Sequence, residues 1–249
     1  MIELNDVTVF YPKSEEPALN NINLSFDRGE FVCVLGPSGA GKSTMIRTIN
    51  ALQQATDGKV IIDGSDIAEW SEWKRRQWRS RTGMIFQHFH LIPRLTVEHN
   101  VLTGLFGQKH GIAAFAGVFS QSEKNKAQAI LKQVGLEEMA DRRVEWLSGG
   151  QKQRVGVARA LMQEPEVFLG DEPVASLDPG TARSIFQLLR EVHERKNLTT
   201  IINVHDVTLA KEFATRIIGL SHGEVIFNGS PDDLTSIGLE TIYGKALQA

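Results

Sequence analysis

Residues 36–44 read GPSGAGKST, which fits the spacing G-x-x-x-x-G-K-[ST]. Such a run has one workable setting, between the end of a strand and the start of a helix. Its glycines let the backbone curl until successive N–H groups converge on one point, and the helix that follows adds the positive end of its dipole. The flanks agree. The apolar run FVCVLG before it reads as a strand, and a helical pattern runs from Ser43 to about Gln53 after it. The loop of Gly36, Pro37, Ser38, Gly39, Ala40, Gly41, Lys42, Ser43 and Thr44 is therefore a candidate phosphate cradle. Within it Lys42 reaches the outer phosphates, and the Ser43 hydroxyl is a ligand for Mg2+.

The rest of the chain alternates in the same way. Ile22, Leu24 and Phe26 alternate in INLSF, DRGE turns, and DGKVIIDG reads as a turn and one strand of a hairpin. From about Leu91 to Val144 the pattern is mostly helical, with GLFGQKHGIAAFAGVFSQSEK the least regular stretch. After Ser148 come a helix, the strand VFLGDE, a helix over 179–196, the strand TTIINVH and a helix over 207–214. RIIGLSHGEVIFNG closes as a hairpin with Gly223 at its turn, followed by short helical pieces, and no added regulatory domain is expected. Parallel strands separated by helices, interrupted by a helical block, predict a two-lobed α/β protein.

A second anion site stands apart from the first. LSGGQ opens the helical run KQRVGVARALM, with Ser148 as N-cap. Glycines in a first turn cost about 1 kcal/mol each relative to alanine. In exchange, Ser148, Gly149, Gly150 and Gln151 offer backbone N–H groups at the positive end of a helix. Downstream, VFLGDEP ends an apolar strand with Asp171, a candidate Mg2+ partner, and Glu172, placed to polarise an attacking water.

Composition excludes several classes. A net charge of -3 over 249 residues gives no support to a nucleic-acid binder that relies on overall basicity. One cysteine, Cys33, forms no internal disulfide framework and reads as a small strand residue. The start MIELNDVTVFY lacks a signal-peptide pattern, and the longest apolar run, IAAFAGVF, falls far short of the ~20 residues of a membrane helix. WSEWKRRQWRSR interleaves tryptophan with Lys74, Arg75, Arg76, Arg79 and Arg81, a texture that binds nucleic acid in other settings. Trp70, Trp73 and Gln77 fall on one helical face, so the expectation is a tryptophan-packed helix with a solvated basic side. His88 and His90 lack metal-ligand spacing, and Met84, Met139 and Met162 read as core residues.

GPSGAGKST, LSGGQ and VFLGDEP, in this order and spacing, resemble the nucleotide-binding subunit of an ABC transporter, over essentially the whole chain. The resemblance implies an α/β P-loop NTPase of ABC-cassette type, a single domain over 1–249 with an antiparallel β subdomain and a helical subdomain inserted at about 91–165. It implies ATP and Mg2+ as cofactors. It also implies roles for lesser motifs: Tyr11 stacking on adenine, Gln87 sensing Mg2+ and the attacking water, Asp178 contacting the opposite subunit, His205 at the γ-phosphate. Glu172, His205 and Gln87 would be catalytic, and Ser43, Gln87 and Asp171 would serve the metal. In this family two cassettes pair head to tail, so Ser148 to Gln151 would close over the partner's ATP.

The implied partners are a second copy of the chain, integral membrane permease subunits and, indirectly, an extracytoplasmic substrate-binding protein, with no nucleic acid. The implied location is peripheral, on the cytoplasmic face of the inner membrane. The block VLTGLFGQKHGIAAFAGVFSQSEKNKAQAILKQVGL resembles the phosphonate-import branch, which phosphite and hypophosphite importers resemble too. Gly170 and Asp206 depart from that branch's usual alanine and glutamine. The alternatives are the same ATPase role for another cargo (phosphate, amino acid, metal chelate) and a soluble non-transport ABC ATPase.

Overall fold

A computed structural model describes residues 1–108 and 118–244. β1 (Ile2–Val9) and β2 (Leu19–Phe26) pair antiparallel, and β3 (Phe31–Leu35) leads into the glycine-rich loop and α1 (Lys42–Ile49). β4 (Asp57–Ile62) and β5 (Ser65–Asp66) complete an antiparallel sheet of order β2-β1-β4-β5. α2 (Glu72–Ser80) precedes β6 (Thr82–Phe86). Then come three helices, α3 (Val97–Leu102), α4 (Gln121–Gln133) and α5 (Gly149–Leu161). β7 (Val167–Asp171), α6 (Pro179–Lys196), β8 (Thr199–Asn203) and α7 (Val207–Phe213) alternate after them. β9 (Arg216–Ser221), β10 (Glu224–Gly229) and α8 (Ser236–Tyr243) finish the described chain. The second sheet has the order β10-β9-β3-β8-β7-β6, parallel from β9 to β6.

The apolar run FVCVL has every residue buried because β3 is covered on both faces, as parallel strands in layered sheets are. Its alternation divides between two cores. Val32 and Val34 face the core that joins the antiparallel sheet to α1, while Phe31, Cys33 and Leu35 face the core shared with α5 and α6. Cys33 is fully buried, and burial pushes its thiol far above the usual range. The helices between 97 and 161 contribute Val101, Leu131 and Val157 to that second core.

Four details differ from the sequence expectations. The helix after the cradle stops at Ile49 rather than near Gln53, because Ala51 takes a left-handed conformation at φ 52°. β1 and β6 were not expected as strands. In β1 a left-handed Asp6 and a register shift between Leu4 and Val7 break the alternation that marks a strand. In α2, Trp73 is 61% exposed, and the packed pair is Trp70 and Trp78, edge to face at 6.3 Å. Their indole N–H groups reach Ser65 Oγ and the Ile49 carbonyl. The basic side is not simply solvated: Lys74 lies over Trp70, Arg75 and Arg79 meet Glu72, Arg76 donates to the Gly107 carbonyl, and Arg81 meets Glu166. Residues 109–117 of the irregular insert lie outside the described residues. No described helix is long and apolar enough to cross a membrane.

Candidate functional site

Four neighbouring parallel strands end on one side of the sheet, where ligands of open α/β sheets sit. β3 delivers the glycine-rich loop, and β8 carries Asn203 toward His205. β7 ends at Asp171 with Glu172 next, and β6 ends just before Gln87. Residues 30 to 170 positions apart in sequence thus meet because topology places their strand ends side by side.

The loop needs its glycines. Gly41 caps α1 at φ 101°, and a Cβ there would fall 2.3 Å from the Ala18 carbonyl oxygen. Tyr11, Ser38 to Thr44, Gln87 and Glu172 line one open cleft of about 420 Å3. The Tyr11 hydroxyl stands 3.2 Å from Thr44 Oγ1. Lys42 is only 4% exposed, and its ammonium donates to the carbonyls of Gly36 at 2.7 Å and Pro37 at 3.0 Å. Burial lowers its pKa, opposed by the Glu172 and Asp171 carboxylates. A cation held on a curled loop of N–H groups suits a polyphosphate.

At the far wall, Ser43 Oγ donates to Asp171 Oδ1 at 2.7 Å, and Asn203 Nδ2 donates to the same oxygen at 2.9 Å. The hydroxyl and carboxylate form an all-oxygen donor set, and the buried Asn203 Oδ1 beside them has no hydrogen-bond partner. Those donors suit a hard divalent cation such as Mg2+. Glu172 Oε1 lies 2.6 Å from His205 Nε2 and 3.6 Å from Lys42 Nζ. Glu172 also holds a left-handed backbone at φ 51°, an outlier that costs about 1–3 kcal/mol in a non-glycine residue and clusters at functional sites.

The second glycine motif stands elsewhere. Ser148, Gly149, Gly150, Gln151 and Asp178 do not line the cleft. Ser148 caps α5 as expected, but in a reciprocal box. Its hydroxyl accepts from the Gln151 N–H, and the Gln151 side chain accepts from the Ser148 N–H. Two of the four expected N–H groups are thereby engaged, which leaves those of Gly149 and Gly150, in the first turn of α5, outside that box. Gly150 has a packing reason too: a Cβ would fall 2.5 Å from the Thr181 methyl in the first turn of α6. Asp178 caps that same turn through Thr181 N–H at 3.0 Å, and hydrogen bonds from Thr181 hold its carboxyl below the usual range. The LSGGQ motif and Asp178 therefore share one surface.

Sequence reasoning missed two contributors. Asn203 is a fully buried amide at the end of an apolar strand, and that polar exception in TTIIN was the available signal. Arg159, near the end of α5, donates to the carbonyls of Phe89 at 3.0 Å and His90 at 2.5 Å. It fixes the left-handed pair that follows Gln87, and nothing in its helical surroundings marks it.

Comparison with known proteins agrees with this geometry. A family model described as ABC transporter matches residues 19–175. A phosphonates import ATP-binding protein, PhnC 2, of Oceanobacillus iheyensis is 43% identical over 98% of this chain and 96% of its own length. Proteins named phosphonates import ATP-binding protein PhnC from Shouchella clausii and Bdellovibrio bacteriovorus are 45% and 42% identical, each over 100% of this chain and at least 93% of their own length. Among solved structures, a dimeric ATP-binding cassette in a post-hydrolysis state, bound to ADP and Pi, superposes with a TM-score of 0.82 at 38% identity. It covers 93% of this chain and 99% of that one. CbiO1 of Clostridium perfringens, part of an ABC transporter complex, gives 0.83 at 28% identity, over 96% and 92% of the two chains.

Proposed function

This chain belongs to the ABC transporter family as an ATP-binding subunit that hydrolyses ATP, and from that premise we propose that it energises the import of phosphonates through a membrane permease. The observation that carries the cargo is the full-length identity of 42–45% to proteins from three different bacteria that all bear the phosphonates import name. An importer of another cargo is the second reading, since cargo recognition belongs to other subunits.

In the proposed cycle, N–H groups of residues 38–44 and the Lys42 ammonium hold the phosphates of ATP, with the Tyr11 ring against the adenine. Ser43 and Asp171, with Gln87, would hold Mg2+, which neutralises charge on the phosphate oxygens when bound. Glu172 takes a proton from the attacking water. His205, at 2.6 Å, orients that carboxylate and then meets the γ-phosphate.

Two copies pair head to tail about a two-fold axis, so that Gly149 and Gly150 of one chain close over the nucleotide of the other. Support comes from the placement of LSGGQ and Asp178 together, away from their own chain's cleft, and from the dimeric form of a 38%-identical relative. A groove of about 450 Å3 beside the loop after Gln87, lined by Leu52, Met84, Ile92, Phe106 and Arg159, is the surface assigned to the permease. Its exposed rim of Leu52, Ile92 and Phe106 is apolar, as a protein contact requires. The chain then sits peripherally at the cytoplasmic membrane face.

Growth tests the cargo. A strain lacking this chain and any duplicate importer should grow on phosphate and fail on a phosphonate as sole phosphorus source. Wild type should restore growth on the phosphonate. Equal growth of the deleted strain on both sources would remove phosphonate as the cargo.

A further inference from the structure

The segment that leads into LSGGQ holds a tryptophan in water. Trp146, two residues before Ser148, is 70% exposed, while Val144 and Leu147 on either side of it are buried in the core. Its backbone is nonetheless fixed. Val144–Trp146 form one 3-10 turn, closed by the Trp146 N–H on the Arg143 carbonyl at 3.2 Å. The N–H groups of Val144 and Glu145 donate to the carbonyls of Leu95 and Pro93, each at 3.1 Å, and that of Leu147 donates to the Val144 carbonyl. The Arg143 guanidinium lies 5.7 Å from the ring centre and meets Glu145 at 3.6 Å.

A single exposed apolar side chain needs no partner by itself. What sets Trp146 apart is its place. Leu147 and Ser148 both have extended backbones, with ψ of 150° and 164°, so the Trp146 Cα stands roughly 6–7 Å from that of Ser148. The ring therefore borders the motif whose Gly149 and Gly150 N–H groups lie outside the Ser148–Gln151 box. That motif shares a surface with Asp178 and does not line its own chain's cleft. A partner that closes over Gly149 and Gly150 comes within reach of the indole. The cleft side carries matching chemistry: Phe10, the residue before Tyr11, is 41% exposed. Because the turn is already held by backbone bonds, covering the ring costs little ordering of the chain, and tryptophan is enriched among residues that anchor interfaces.

We propose that Trp146 anchors the nucleotide-closed pair, its ring buried by the second copy of the chain at the edge of the cleft when ATP draws the two together. The proposal rests on the head-to-tail reading and adds to it a contact outside the phosphate sites. Two-fold symmetry makes that contact twice. In the single chain the ring stays in water, so Trp146 stabilises the pair and contributes little to the fold.

The test is ATP-dependent pairing of the full chain in the Glu172→Gln background, followed by sedimentation and by intrinsic fluorescence. Adding Trp146→Ala should raise the dissociation constant of the pair at least about ten-fold, as truncation of a buried anchor does, with the nucleotide-free thermal midpoint unchanged. Pairing should shift tryptophan emission to the blue. Trp146→Phe should remove that shift, whereas Trp73→Phe, at the exposed tryptophan of α2, should keep it. Undiminished pairing in Trp146→Ala, a weaker pair accompanied by a lowered nucleotide-free midpoint, or a blue shift that survives Trp146→Phe overturns the anchor and leaves the head-to-tail pair standing. Failure of the Glu172→Gln parent to pair with ATP overturns both.

Discussion

Glu172→Gln should slow ATP hydrolysis by about 10²- to 10⁴-fold, the range for loss of a positioned general base, while ATP still binds. Glutamine keeps the shape of the side chain and its oxygen, so His205 retains a partner at the position now 2.6 Å away. It loses the charge that accepts a proton from water. Binding survives because the cradle is held by other contacts: Lys42 on the carbonyls of Gly36 and Pro37, and Ser43 on Asp171. Bound but uncleaved ATP should hold two chains together, so the variant with ATP should elute at twice the mass of the variant without it. Single-turnover hydrolysis at the wild-type rate would remove Glu172 from the role of base.

Ser148→Arg should poison the site of the other chain rather than its own. The change breaks the reciprocal cap with Gln151 and sets a cation at the positive end of α5, which costs about 1 kcal/mol of local stability. Its larger effect is to place a bulky side chain where Gly149 and Gly150 now present bare N–H groups. Mixed dimers separate action in cis from action in trans. When Lys42→Ala on one chain meets Ser148→Arg on the other, one complete site survives if the motif acts across the interface, and the dimer retains one ATP. When both changes sit on one chain opposite wild type, both sites are broken and no ATP is retained. Assembly within a single chain reverses the two outcomes, and nucleotide content after rapid desalting distinguishes them.

These residues were readable to different degrees, for physical reasons. The cradle was legible because backbone demands restrict its composition: only glycine tolerates φ 101° within 2.3 Å of the Ala18 carbonyl. The apolar runs FVCVL of β3 and VFLG of β7 were legible because parallel strands buried on both faces admit few polar residues. β1 was not, since the bulge at Asp6 shifts its register midway. The inward tryptophan of α2 was misplaced because the helix begins at Glu72 after the Ser71 cap. Trp70 therefore packs from outside the helix, and Trp78 supplies the inward contact. Asn203 and Arg159 were missed for a third reason. Their significance lies in partners 32 and about 70 positions away, and no local spacing encodes such pairings.

Uptake into membrane vesicles that contain the permease and this chain, with a phosphonate-loaded binding protein outside and ATP inside, joins the site to the cargo most directly. Labelled phosphonate should accumulate with wild type, require internal ATP, and fall to background with Glu172→Gln. Accumulation that persists with Glu172→Gln, or ATP hydrolysis without any phosphonate entry in vesicles that transport another solute, would contradict an ATP-driven phosphonate importer built on this chain.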